Sequence, residues 1–329
     1  MTSTPSKEKL LQLPNDRVLA YEETGDVTST VLVFFFHGVF GVGRVPKVLS
    51  PALIEKRAHY ITPTLPGGGN SSPRLKTKPY HVGLAEDTMA LIEHLHPGAD
   101  QLQIYLCGGS YGTVPAQMLY GAPFEIFPAG KFVRGCLLGA PFTPFKHHKG
   151  YTRGMTWGNY FSVGPPSQIV PFNLIMRVAG IGVSQQFGGP KGAKKAEKFL
   201  QGFLFDGTPE EEKAAFKAWR EKQGLEEGQF EREMAENMSK SISKTMAGFI
   251  ECGDVIHSDW DFVPKDLDDE HTNGRKVVIA ASTDDELGPE FANWLKENYK
   301  NSSLTWVPGK HISSLFVMDQ LFAELLQDA

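Results

Sequence analysis

One serine of the chain is enclosed by glycines in a pattern that suits nucleophilic catalysis. The segment Gly108-Gly109-Ser110-Tyr111-Gly112 fits G-x-S-x-G and lies between the strand formers LQIYLCG and the helix-forming run TVPAQMLYG. Glycines permit a tight strand-to-helix turn that lifts the serine hydroxyl clear of the backbone. The N–H groups at the start of the following helix would point at a developing anion. A glycine-rich turn with an ordinary serine has the same five letters, so the pattern predicts a nucleophile only together with suitable partners.

A serine nucleophile needs a base and a group that orients the base, and two later loops carry such residues. The run KVVIAAS is followed by Asp284 and Asp285, and the run SLTWVPG is followed by His311. Of the ten histidines, only His311 follows the last predicted strand. A solvated turn and a helix-capping histidine would explain these residues separately. Their order after Ser110 instead predicts a Ser-Asp-His triad.

The elements that must position these residues alternate between strand and helix. The predicted strands are continuous apolar runs, as in strands buried on both faces of a parallel sheet, and they cover residues 17–23, 30–36, 59–66, 102–108, 134–141, 275–282 and 303–309. Between two of them, GLAEDTMALIEHLH places its apolar residues on one helical face. The pattern predicts an α/β fold, in which functional groups gather at the carboxyl ends of parallel strands.

The alternation stops between residues 144 and 249, where strand signals fade and the sequence becomes helical and charged. Thr208-Pro209-Glu210-Glu211 predicts a helix that opens with a capping box and with proline at its first position. Residues 228–250 predict one further helix. We therefore predict a core formed by residues 1–143 and 250–329, and a helical cap, or lid, formed by residues 144–249.

These motifs together resemble the α/β-hydrolase fold family, in particular its serine members with a helical cap. The resemblance spans residues 15–142 and 255–325. It implies a mostly parallel central sheet flanked by helices. His37 and Gly38, after the run TVLVFFF, resemble the family's HG oxyanion loop. By that match, the backbone N–H groups of Val39 and Tyr111 would form the oxyanion hole.

Three positions depart from the family's patterns. Thr64 stands where an aspartate is usual in D-x-P-G-x-G-x-S. Ser282 replaces the glycine of G-x-x-D-x-x-x-P, but Asp285 keeps the spacing to the following proline, which favours Asp285 over Asp284 as the triad acid. Lys310 stands between the usual glycine and the histidine. None of these changes removes a catalytic atom.

The implied chemistry is acyl transfer in two steps, without a cofactor or a metal. His311 takes the proton of Ser110 as the oxygen attacks a carbonyl, Asp285 stabilises the imidazolium, and water then hydrolyses the acyl-enzyme. Large apolar residues in the first half of the predicted cap point to a small to medium apolar ester or amide, with Phe40 and Trp157 as candidate substrate contacts. Residues of this kind also simply pack a cap against a core.

Two alternatives to a carboxylester hydrolase stay open. The GGSYG elbow and the long cap also resemble prolyl aminopeptidases, in which acidic cap residues hold a free amino terminus, and Glu231, Glu233 and Glu236 could do so here. Other members of the fold are lyases, cofactor-free oxygen enzymes or ligand receptors, so a triad alone does not exclude those roles.

The composition and charge of the chain disfavour several classes of binding partner. The net charge is −5 and cations are spread among acids, which disfavours nucleic acid and anionic lipid as partners. Three cysteines without close spacing favour reduced thiols and a cytoplasmic protein over disulfides or a zinc site. The first residues do not resemble a secretory signal, and no segment approaches the ~20 apolar residues of a membrane span. We expect a small-molecule substrate, and the sequence leaves the oligomeric state open.

Overall fold

The computed structural model describes residues 7–189, 191–206 and 208–327. Its strands form one sheet in the order β1-β2-β4-β3-β5-β6-β7-β8. Their bounds are β1 Lys9–Leu13, β2 Arg17–Gly25, β3 Val31–Phe36, β4 His59–Pro63, β5 Gln103–Gly109, β6 Val133–Gly139, β7 Lys276–Ser282 and β8 Ser302–Val307. β1 and β4 each pair antiparallel with β2, and all other neighbouring pairs are parallel. The mostly parallel sheet and all seven predicted strands are confirmed.

Helices flank the sheet, as predicted. Their bounds are α1 Pro51–Glu55, α2 Tyr80–Leu95, α3 Thr113–Tyr120, α4 Trp157–Ser162, α5 Pro166–Ile169, α6 Leu174–Phe187, α7 Gly192–Phe205, α8 Glu210–Lys222, α9 Gln229–Ser241, α10 Ala247–His257, α11 Asp269–Thr272, α12 Glu290–Asn298 and α13 Met318–Leu325. α1 and α13 pack together on one face of the sheet, and α2, α3 and α12 cover the other.

Strand β3 shows why the apolar runs are continuous. Successive side chains of a strand point to opposite faces, so Leu32, Phe34 and Phe36 join the apolar core beneath α2 and α3. Val33 joins the separate core beneath α1 and α13, and Phe35 packs against that second core. Each fully buried side chain of this kind contributes about 2 kcal/mol relative to an exposed one. Burial on both faces therefore fixes the strands, and with them the loops at their carboxyl ends.

Between β6 and β7 the described residues form helices and loops without a strand of the sheet. We call α4 to α10 the helical insert. α10 runs across the predicted boundary between residues 249 and 250, so the division into core and cap stays a prediction. The prediction of one helix over residues 228–250 is wrong, because α9 ends at Ser241 and α10 begins at Ala247. The hydroxyls of Ser241 and Ser243 donate to the carbonyls of Met238 and Lys240, which competes with continued helix.

The start of α8 also differs from its prediction. Pro209 is the N-cap residue, and the first helical residue is Glu210. The Thr208 hydroxyl donates to the carbonyl of Leu204 instead of capping α8. The helix exists as predicted, but the capping box does not form.

The three cysteines are free and buried. Among the helices of the described ranges, none has the length and apolar character needed to cross a membrane.

Candidate active site

The turn at Ser110 is strained, and two of the glycines around it are required by close packing of the backbone. β5 ends at Gly109, and Ser110 follows with φ 53°, in the left-handed region that side chains other than glycine seldom adopt. A Cβ atom at Gly108 would lie 2.2 Å from the carbonyl oxygen of Gly112, and one at Gly112 would lie 2.0 Å from the carbonyl oxygen of Phe36. Both positions therefore exclude a side chain. The backbone is held in a strained turn that projects Ser110 beyond the end of the strand.

Asp285 and His311 are brought together by the loops after β7 and β8. Nδ1 of His311 lies 2.9 Å from both carboxylate oxygens of Asp285, whose side chain is only 5% exposed. The Leu287 N–H also donates to this carboxylate at 2.9 Å. Asp284 is exposed and instead accepts from the Thr283 hydroxyl at 3.2 Å. The geometry thus pairs the histidine with Asp285, the acid that the sequence favours.

Ser110 and His311 lie beyond the carboxyl ends of β5 and β8, which end at the same edge because the strands from β5 to β8 are parallel. Within the described ranges, the Ser110 hydroxyl makes no hydrogen bond with His311. Since Asp285 occupies Nδ1, the Nε2 atom of His311 is the one left for the serine. Hydrogen bonds of this type often tighten only when substrate is bound.

The loop after β3 passes beside Ser110. A Cβ atom at Gly38 would lie 3.6 Å from the Ser110 Cβ and 4.0 Å from its Oγ. Among the described residues, neither the Val39 N–H nor the Tyr111 N–H has a backbone or side-chain acceptor. Tyr111 also belongs to the first helical turn after the strand, where N–H groups are left unpaired. Both N–H groups are thus available to donate, and the oxyanion hole that they would form stays a prediction.

His37 holds this loop in place. Its Nε2 accepts the N–H of Leu65 at 2.9 Å, so the ring proton lies on Nδ1, which donates to the Gly38 carbonyl at 2.7 Å. Burial disfavours the charged ring and lowers the pKa of His37 to about 4. The imidazole is therefore neutral and fixes the peptide that carries the Val39 N–H.

This neutral imidazole predicts loss of stability in acid. Burial lowers the pKa of both His37 and His148 from 6.5 to about 4, so between these values the unfolded chain binds more protons than the folded one. Stability then falls as the pH drops through this window, by roughly 3 kcal/mol for the buried His37 and by less for His148. Urea unfolding at about pH 7 and about pH 4.5 measures the change. His37→Gln should reduce the pH dependence, whereas the same change at the exposed His94 should not; equal pH dependence in both variants would contradict the assignment.

Thr64 has a clear role at the position where aspartate is usual. Its buried hydroxyl accepts the N–H of Gly43 at 2.8 Å. A Cβ atom at Gly43 would lie 2.0 Å from the Thr62 carbonyl oxygen, so the loop after β3 presses closely on β4. Thr64 therefore fixes the far end of the loop whose near end His37 holds.

Glu212 of the helical insert reaches the loop that carries His311. Its carboxylate accepts the Lys310 N–H at 2.8 Å and the Ser313 hydroxyl at 3.0 Å. The Lys310 ammonium in turn donates to the Thr208 hydroxyl at 3.1 Å. Glu212 was not predicted from the sequence, where its only signal was the lysine inserted before the histidine. The insert thus holds the residues on both sides of His311.

We expect Glu212→Ala to lower kcat by about tenfold to 10²-fold with a smaller effect on KM, because His311 loses its fixed position. Steady-state kinetics on the substrate found for the wild type measures both constants. Glu211→Ala is the matched control, since Glu211 is the exposed neighbour. Equal kcat in the Glu212 variant and the control would show that the contact does not position the histidine.

A small cavity lies between the loop after β3 and the insert, lined by residues that include Val39, Tyr111, Leu65, Ile242, Phe249 and Glu251. Phe40 stacks on Phe249 with ring centroids 4.9 Å apart, beside this cavity.

Trp157, the other candidate substrate contact, is 77% exposed and stacks on Phe161, so the structure places it on the surface instead. Within the described ranges, no group of three or more His, Cys, Asp or Glu side chains is arranged to hold a metal ion.

The three acidic residues considered for amino-terminus binding lie on α9. Glu233 pairs with Lys47 at 3.1 Å, and Glu236 faces Arg44 at 3.6 Å. Glu231 is buried, at 5% exposure. Two of the three carboxylates are therefore neutralised by cations from the loop after β3.

In comparisons with known proteins, this chain matches one family model and resembles many solved structures in fold. A family model described as "Alpha/beta hydrolase family" matches residues 33–325. A hydrolase from Pseudomonas aeruginosa PA01 is 15% identical, with 97% of this chain and 98% of that chain covered and a TM-score of 0.59. The esterase EaEST from Exiguobacterium antarcticum (17% identity, TM-score 0.57) and a bromoperoxidase from Bacillus anthracis (18%, 0.58) are covered to the same extents. No curated protein matches the sequence. At these identities the likeness shows the fold.

Proposed function

Because this chain belongs to the alpha/beta hydrolase family, we propose that it is a serine hydrolase that cleaves a small to medium apolar carboxylic ester through an acyl-enzyme. The observation that supports this most is the Asp285 carboxylate on Nδ1 of His311, at the edge of the sheet where Ser110 is held in a strained turn. A histidine oriented in this way can act as a general base for the serine.

The proposed reaction begins when the Ser110 oxygen attacks the carbonyl carbon of the ester and its proton passes to Nε2 of His311. The carbonyl electron pair moves onto oxygen, and the Val39 and Tyr111 N–H groups stabilise that oxyanion. Asp285 stabilises the imidazolium. As the carbonyl re-forms, the bond to the leaving alcohol breaks and the alcohol takes the histidine proton. Water then attacks the acyl-enzyme in the same manner and releases the acid.

The cavity beside the oxyanion loop favours an uncharged, apolar substrate. Its lining includes Leu65, Ile242 and Phe249, and the pKa of His37 is lowered so far that this ring carries no charge near neutral pH. Glu251 is paired with Arg74 at 2.7 Å and with Lys76 at 3.1 Å. Among the described residues that line this cavity, no charged side chain is thus left free to hold an ionic substrate. Glu233 and Glu236, two of the three acidic residues that could hold a free amino terminus, are likewise engaged with Lys47 and Arg44.

A direct test compares nitrophenyl esters of increasing acyl length with a prolyl arylamide on the purified protein. We expect repeated turnover of the acetyl to octanoyl esters and little release of arylamine. A kcat/KM that is higher for the arylamide would overturn the ester proposal in favour of a peptidase. Single-turnover chemistry without recycling would point to a receptor.

A further inference from the structure

The first part of the helical insert exposes large apolar side chains. Phe172 is 86% exposed, Ile169 78%, Trp157 77% and Val178 61%. We call the outward side chains of α4, α5 and α6, within residues 157–181, the outer insert face. Scattered surface apolar residues are normal, but a contiguous group of this size marks an interaction site.

The outer insert face is carried by neighbouring helices. Leu174, Val178 and Ile181 are spaced by four and three residues, so they line one side of α6. The opposite side of α6 carries Met176, which is buried. α4 packs against α5 and α6. The face is therefore the side of the insert turned away from the core.

The protrusion of Phe172 is fixed by its surroundings. Phe172 and Asn173 have φ of 60° and 54°, a left-handed conformation that is costly for a bulky side chain. Nε of Arg177 donates to the Phe172 carbonyl at 2.7 Å, and the Asn173 amide donates to Asp254 at 2.7 Å. These contacts hold the strained turn with the phenyl ring in solvent.

The stretch of sequence that contains the outer insert face is rich in cations. Between Glu125 and Glu197 the sequence contains nine Lys or Arg residues and no Asp or Glu, in a chain whose net charge is −5. Lys149, Arg153 and Arg177 are exposed and form no ion pair within the described ranges. The expectation of evenly mixed charge, which disfavoured anionic lipid as a partner, does not hold for this segment.

We propose that the outer insert face docks on an anionic lipid bilayer. Exposed Trp, Phe and Ile side chains enter the boundary between headgroups and acyl chains, while flanking cations contact anionic headgroups. A chemically matched protein groove would also cover the apolar side chains, but a protruding Phe172 ring next to Arg177, a cation without an ion pair in the described part of the chain, fits an anionic lipid surface better. The side chain of Asn159 in α4 donates to the Glu286 carbonyl at 3.0 Å, next to Asp285, so docking would place the candidate site close to the lipid.

The test is flotation of the full chain with phosphatidylcholine vesicles and with vesicles that contain about one quarter phosphatidylserine. We expect at least about tenfold stronger partitioning onto the anionic vesicles, weakened by added salt. The double variant I169S/F172S should lose about tenfold or more of that binding. The control V27S/I54S changes side chains that are 51% and 60% exposed outside the insert, and it should bind like the wild type. Circular dichroism and thermal unfolding confirm that both variants are folded.

Three results would overturn the proposal: no binding to anionic vesicles, equal binding to both vesicle types, or equal loss in the variant and the control. Sedimentation velocity without lipid adds a further check. If the wild type is a dimer that I169S/F172S dissociates, the face joins two copies of the chain and the lipid proposal is wrong. None of these readouts depends on hydrolysis, so the proposal and the proposed function can fail separately.

Discussion

Ser110→Ala is expected to lower kcat by a factor on the order of 10⁶ and to leave the fold intact. The methyl group of alanine fits where the serine Cβ lies, but it offers no oxygen for an acyl-enzyme. The residual rate would come from the oxyanion N–H groups and from substrate binding. Turnover of the best ester substrate measures the loss, and thermal unfolding reports the fold.

Ser282→Ala is the matched control for the loss of a hydroxyl. Ser282 lies at the carboxyl end of β7, and its buried Oγ has no hydrogen-bond partner among the described residues. Its removal should leave kcat near the wild-type value. Substantial turnover by the purified Ser110 variant, or an equal loss in the control, would contradict the role given to Ser110.

Asp285→Asn is expected to lower kcat by a factor on the order of 10⁴. The carboxylate accepts the Nδ1 proton of His311 at 2.9 Å, which leaves Nε2 unprotonated towards the serine. An amide can donate to Nδ1, which would move the ring proton to Nε2 and remove the base. The imidazolium would also lose its stabilising charge. Steady-state kinetics on the same ester measures the effect.

The adjacent aspartate supplies the control for this substitution. Asp284 is exposed and accepts from the Thr283 hydroxyl, so Asp284→Asn should change kcat little. If the Asp284 variant lost as much activity as the Asp285 variant, the choice between the two acids would be wrong. If neither lost activity, the carboxylate would have no part in orienting the histidine.

The sheet was predictable because its strands are buried on both faces and read as continuous apolar runs. β1 was missed because KLLQL is short, lies at the sheet edge and is mostly exposed. The prediction of a single helix over residues 228–250 failed for a local reason, since the hydroxyls of Ser241 at the end of α9 and of Ser243 after it bond to preceding carbonyls. Periodicity does not reveal such competition.

Some residues of the candidate site could likewise be predicted from the sequence, and others could not. Ser110, Asp285 and His311 follow recognisable strands in a fixed order, so motif and order are sufficient to nominate them. Glu212 and Thr64 act through contacts with residues that are distant in sequence, and only tertiary structure brings those partners together. The exposure of Trp157 could not be predicted either, because residue type alone does not tell a packed aromatic ring from one that faces solvent.

The most direct test of the account is labelling of the folded protein with a fluorophosphonate, followed by peptide mapping in a mass spectrometer. An activated serine forms a covalent adduct with this probe, whereas ordinary serines do not react. We expect one adduct, on Ser110, which forms more slowly in Asp285→Asn and is absent in Ser110→Ala. An adduct on a different residue, or a folded protein that takes up no probe, would contradict the role of Ser110 as the nucleophile.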